Sequence, residues 1–156
     1  MLNVHKTQMD TTMKTYQHIL LAVELIPESD KLIIEKTKEL LALSHAKLSL
    51  IHGIEHFANF GAAYNMPGGL DVEEEILASA KETLKKIAES LQVAAEHIIV
   101  KSGSAKHIIV DEAQNIKADL IIVGSHGRHG VGLLLGSTAN AVIHAAKSDV
   151  LAVRLK

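Results

Sequence analysis

The 156 residues are 47% hydrophobic yet only 3% aromatic, so one domain of ordinary size must build its core from Leu, Ile, Val and Ala, a mixture suited to parallel strands covered by helices. A balance of 16 Lys and Arg against 18 Asp and Glu, net charge −2, excludes the basic footprint that nucleic acid or an acidic membrane surface would require. With no Cys, disulfide frameworks and thiolate chemistry are excluded too, and since no stretch reads as a signal peptide or a membrane span, a cytoplasmic protein is expected.

Residues 1–14 are polar and aperiodic and read as a flexible N-terminal tail, which leaves 15–156 as the domain. A first strand is predicted over residues 16–24, centred on HILLAVEL and closed by Pro27. Ser29 or Asp30 is then expected to cap a helix with Leu32, Ile33, Leu40 and Leu41 on its apolar face. KLSLIH, residues 47–52, is the second strand, so the chain opens with a βαβ unit and a right-handed crossover. Residues 53–70 lose periodicity and gather Gly, Asn and Pro67, as a functional lid or mobile loop does. Asp71 is expected to cap an amphipathic helix whose one face carries Val72, Ile76, Ala80, Leu84, Ile87, Ala88 and Leu91. A third strand covers 97–101. Ser102-Gly103-Ser104 then turns into a helix bearing Ile108, Ile109, Ala113 and Ile116, and the last strand is Asp149–Leu155.

Between these elements lies the stretch around which the chain is organised, DLIIVGSHGRHGVGLLLGSTAN, residues 119–140. The run 120–123 has the unbroken β-branched character of a buried parallel strand and is expected to stop at Gly124. A loop rich in Gly (124, 127, 130, 132, 136) leads to Ser137 and Thr138, which suit the first turn of a helix whose apolar stripe is Ala141, Val142, Ala145 and Ala146. Strand, glycine loop and helix start, in that order, can bind phosphate: glycines let an anion reach the backbone, and the unpaired N–H groups of the new turn point at it. A Walker A loop is excluded because no Lys precedes Ser137, and a dinucleotide fingerprint would need Gly where Leu135 stands.

Five strands alternating with four helices make a single-domain, doubly wound five-stranded parallel α/β sheet with helices on both faces, expected order 3-2-1-4-5. Ligands on such sheets bind beyond the carboxyl ends of the strands where the order reverses, here between the first and fourth. Sequence pattern therefore brings Val23 and Glu24 to the same crevice as Val123 and Gly124.

The glycine stretch resembles the nucleotide loop of the universal stress proteins, usually written G-x2-G-x9-G-[ST]: Gly124-Ser-His-Gly127 supplies its first half and Gly136-Ser137 its second, across a spacer of eight residues rather than nine. The resemblance runs from Tyr16 to the end of the chain and includes HILLAVEL, KLSLIH, LLLGSTANAVIHAA and the closing DVLAVRL. It implies an adenine nucleotide alpha hydrolase-like fold, ATP or AMP as ligand, with or without Mg, and a homodimer joined through the last strand, Asp149–Leu155. It also implies that Ala22, Val23 and Glu24 border the adenosine with Leu48 beside the adenine, and that Val123, Gly124, His126 and Gly127 line the ribose and phosphate path. Gly136, Ser137, Thr138 and Ala139 would receive the phosphates. Family nucleotide binders usually carry Asp where this chain has Glu24, whose carboxylate reaches one methylene further.

Arg128 has the forked donors to pair with a phosphate. Glu24 has no companion carboxylate or Walker B acid, so no catalytic residue is assigned and a binder rather than an enzyme is expected. The alternatives are slow ATP hydrolysis or autophosphorylation on Ser137 or Thr138 at the same site, or a nucleotide-free dimer. Among 10 His, His52 and His56 are the nearest pair, but they share no helix face and have no Cys or HExxH partner, so no metal site is expected. The expected function is that of a cytoplasmic, homodimeric stress-response protein that binds an adenine nucleotide.

Overall fold

The computed structural model describes residues 15–55, 69–126 and 135–155. The tail 1–14, residues 56–68 of the aperiodic segment and residues 127–134 of the glycine stretch lie outside the described residues. The elements are β1 (His18–Ala22), α1 (Pro27–Ser44), β2 (Lys47–Ile54), α2 (Gly69–Ser90), a 3-10 turn (Ala95–His97), β3 (Ile98–Ser102), α3 (Ala105–Asn115), β4 (Leu120–His126), α4 (Ser137–Ala145) and β5 (Asp149–Leu155). The five strands are parallel in the order β3-β2-β1-β4-β5.

Alternation along the strands divides the core in two. Ile19, Leu21, Leu48, Leu50, Leu120 and Ile122 face α1 and α2, meeting Ile33, Leu84 and Ala88. Leu20, Ile51, Ile121 and Val123 face α3 and α4, meeting Ile109, Val110, Ala113, Ala139 and Val142. Each Leu, Ile or Val fully withdrawn from water contributes about 1.5–3 kcal/mol, which is how a core almost without aromatics holds the sheet.

Helix ends use other devices than those predicted. Pro27 does not close β1; it occupies the first turn of α1, where its missing N–H costs nothing, and Ile26 stands at the N-cap without a side-chain cap. Ser29 and Asp30 lie inside the helix, and Asp71 likewise falls inside α2, which begins at Gly69. Non-glycine residues with positive φ stand at or just past three helix ends: His45 (53°), Gln92 (56°) and Lys117 (55°). There the chain doubles back, as Ala118 N–H does onto Ala113 O at 2.8 Å. The predicted stripe of α4 shifts as well: Ala139 and Val142 are buried whereas Ala145 is exposed.

β4 does not stop at Gly124. It continues through Ser125 to His126, pairing Gly124 with Val153 and His126 with Leu155. Gly124 is needed by that packing, because a Cβ there would stand 2.7 Å from Leu155 Cδ1.

At the amino end of the sheet the Asp119 carboxylate accepts the backbone N–H of Gln17 and of His18, both at 2.9 Å, which ties the start of β1 to β4. His18 reaches from β1 to β2 and α3. Its Nδ1–H donates to Ile116 O at 3.1 Å, the carbonyl fixing that tautomer, and Nε2 then accepts the Ser49 hydroxyl at 2.8 Å.

Candidate functional site

Reversal of strand order between β1 and β4 leaves a crevice beyond their carboxyl ends. It is about 230 Å³ and is lined by Ala22, Val23 and Glu24 from β1 and its exit, Ile51, His52, Gly53 and Glu55 from β2 and its exit, Ala105 and Ile109 from α3, Val123 and Gly124 from β4, and Thr138 from α4. Its floor is apolar because Ile51, Ile109 and Val123 belong to the core under α3 and α4.

Ala22, Val23, Glu24, Val123, Gly124 and Thr138 are thus brought together as the sequence predicts. Leu48 is not among them. It is 7% exposed, sits at the amino end of β2 and packs against α1 and α2. Parallel register explains the difference: Leu48 lies opposite Ile19, while Ile51 lies opposite Ala22 and so takes the place at the crevice. His52, Gly53, Glu55, Ala105 and Ile109 had no sequence motif, although Gly53 marked the end of β2 and the Ser-Gly-Ser turn marked the approach of α3. A Cβ on Gly53 would stand 2.5 Å from Ile108 Cδ1 and 3.2 Å from Ala105 Cα, so its glycine lets the start of α3 close against the strand end.

The other predicted residues divide by position. Gly136 is the N-cap of α4 and offers no side-chain cap, and the first intrahelical bond runs from Asn140 N–H to Gly136 O at 2.9 Å. The N–H groups of Ser137, Thr138 and Ala139 precede that bond and have no acceptor within the helix. Ala139 can offer only its backbone, since its methyl is in the core. His126 ends β4; its side chain, with Gly127 and Arg128, lies outside the described residues.

Polarity differs along the crevice. Glu24 and Glu55 are the charged side chains among its described lining residues, and no Lys or Arg joins them. An anion there would be held by backbone N–H groups at the α4 end, where the helix dipole favours it, while donors on a ligand would meet the carboxylates at the other end. The β1 exit that carries Glu24 is held from two sides: His52 Nδ1–H donates to Val23 O at 2.8 Å, and Asp30 Oδ1 accepts Glu24 N–H at 3.0 Å. No group of three His, Cys, Asp or Glu residues suited to a metal occurs among the described residues. The Ser49 and His18 pair sits at the opposite end of the sheet with Ser49 1% exposed, so it has no access to this crevice.

Comparison with known proteins covers nearly the whole chain. The sequence model described as "Universal stress protein family" matches residues 15–154. Universal stress protein A homolog 2 of Coxiella burnetii is 54% identical over 144 residues, covering 92% of this chain and 99% of that protein. The structure of hypothetical protein MJ0577 superposes with a TM-score of 0.74 at 24% identity, covering 91% of this chain and 98% of the other. A universal stress protein in complex with cAMP superposes with a TM-score of 0.58 at 21% identity, covering 91% and 99%. At these identities the two structures bear on the fold. Among the described residues no helix is long and apolar enough to cross a membrane.

Proposed function

The chain belongs to the universal stress protein family, and from that premise we propose that it binds an adenine nucleotide, ATP or AMP, as a cytoplasmic, homodimeric regulatory protein without enzymatic turnover. The observation that carries this reading is the crevice at the switch point, apolar on its floor, acidic at one end, and faced at the other by Thr138 on the first turn of α4. An adenosine covers Val123, Ile51 and Ile109, its hydroxyl or amino donors facing Glu24, and its phosphates take the free amides of residues 137–139. Gly136 puts no side chain between the ligand and the first amides of α4. The family resemblance assigns His126 and Gly127 to the phosphate path, and Arg128 has the forked donors to join them; the His126 side chain, Gly127 and Arg128 lie outside the described residues. Binding of cAMP by a protein of this fold supports an adenine-containing ligand. Mg, where present, would be carried by the phosphates rather than by a protein cage.

Isothermal calorimetry and thermal melting with ATP and with AMP test the reading. Wild type is expected to release heat and melt higher with ligand. Gly136→Val, which fills the phosphate seat, and Ser137→Glu, which puts a negative charge in it, are expected to abolish both effects. Absence of heat and of any melting shift in wild type at millimolar ATP overturns the proposal. Steady ADP release, or label on Ser137 or Thr138 from labelled ATP, would replace it with an enzymatic reading.

A further inference from the structure

Asp30 is the most deeply buried carboxylate among the described residues. It is 3% exposed although it belongs to the first turn of α1, and it turns back toward the segment that precedes the helix. Its Oδ1 accepts Glu24 N–H at 3.0 Å. Leu25, at φ 61°, turns the backbone between Glu24 and the helix, so the Asp30 carboxylate has its seat beside the β1 exit. A branched residue held there is strained, and it persists only where its surroundings insist on it. On the other side of Glu24, the His52 ring fastens Val23 O. Glu24, which lines the crevice, therefore stands between two anchored neighbours. Ile26 gives the helix no side-chain cap, so Asp30 secures this turn from inside the helix.

We propose that Asp30 is the positioning residue of the nucleotide site: by holding the Glu24 amide at the turn after β1 it places the Glu24 carboxylate at the crevice, so that hold on the nucleoside end depends on an ionised Asp30. This rests on the nucleotide reading given above. Burial pushes the Asp30 carboxyl above its ordinary range, an effect opposed by the bonds from Glu24, Leu25 and Ile26 and reinforced by the Glu24 charge. The other charged groups that share its groove are Lys31, Glu35 and Lys38 of α1 and Lys86 of α2. Protonation removes acceptor capacity from the seat, and the nucleoside-facing carboxylate loses its fixed position. The site thereby becomes responsive to acidification through a residue that does not line it.

The test uses the full chain, with ATP as probe. Calorimetry across a pH series is expected to show wild-type affinity falling as Asp30 protonates. Asp30→Asn, an isostere without the charge, is expected to bind about tenfold more weakly at neutral pH, the scale of one charge-assisted hydrogen bond, and to lack the step that wild type shows at the Asp30 titration point. Nuclear magnetic resonance of wild type should show the Glu24 and Leu25 amides shifting together with the Asp30 carboxyl carbon. Equal affinity and an identical pH profile in Asp30→Asn overturn the proposal while leaving nucleotide binding intact. If wild type takes up no ATP, the nucleotide reading falls. The positioning role of Asp30 is then decided by the amide titration alone, as it is if Asp30→Asn does not fold; amides indifferent to Asp30 overturn it.

Discussion

Gly124 and Leu155 face each other so closely across β4 and β5 that a Cβ on Gly124 would lie 2.7 Å from Leu155 Cδ1 and 3.4 Å from its Cγ. The first glycine of the nucleotide-loop pattern therefore has a packing role as well as a place at the crevice. Gly124→Ala should destabilise the fold by about 1–3 kcal/mol, because buried Leu155 must leave its rotamer. Gly53→Ala should cost more, since its obstacle includes backbone, Ala105 Cα at 3.2 Å. Urea denaturation of both variants checks the order; Gly124→Ala as stable as wild type would contradict it.

Asp119 holds the start of β1 through two amides. Asp119→Ala leaves those donors without their carboxylate, and a loss of about 1–3 kcal/mol is expected. Hydrogen exchange at Gln17 and His18 should accelerate together, and unchanged exchange would show that the carboxylate is dispensable.

Desolvation, followed by the charge of Lys47 and a smaller one from His97, lowers the His18 pKa from its ordinary 6.5, against the pull of Ile116 O and Asp119. The folded protein thus takes up this proton later than the unfolded chain does. The stability tied to neutral His18 is fully present above 6.5 and is lost as pH falls through the lowered folded value. His18→Gln should flatten the rise of stability with pH in that window, and an unchanged slope in pH-dependent melts would count against the assignment.

β5 is an edge strand whose partner within the chain is β4, and Leu151 and Val153 are only partly buried beside the core. Pairing with a second copy would cover that edge. Analytical ultracentrifugation is expected to give twice the 16.8 kDa chain mass, and Val153→Glu, by placing a charge at the seam, is expected to give the single mass with retained helical circular dichroism. A wild-type monomer at tens of micromolar would rule the dimer out.

Much of this protein is written in the order of its residues. Apolar β-branched runs alternating with amphipathic stretches determine five parallel strands and their covering helices, because strands of period two and helices of period 3.6 can bury their apolar residues in few other ways. That order also places Glu24 and Gly124 at one crevice, since ligand sites follow from strand reversal.

Tertiary structure decided which atoms meet there. Register between β1 and β2 put Ile51 rather than Leu48 at the crevice, and pairing with β5 carried β4 past Gly124. The αL turn at Leu25 transformed Asp30 from a supposed helix cap into the anchor of the β1 exit. Register, strand length and the direction of a buried carboxylate arise from contacts between segments far apart in the chain, and local periodicity carries no information about such contacts.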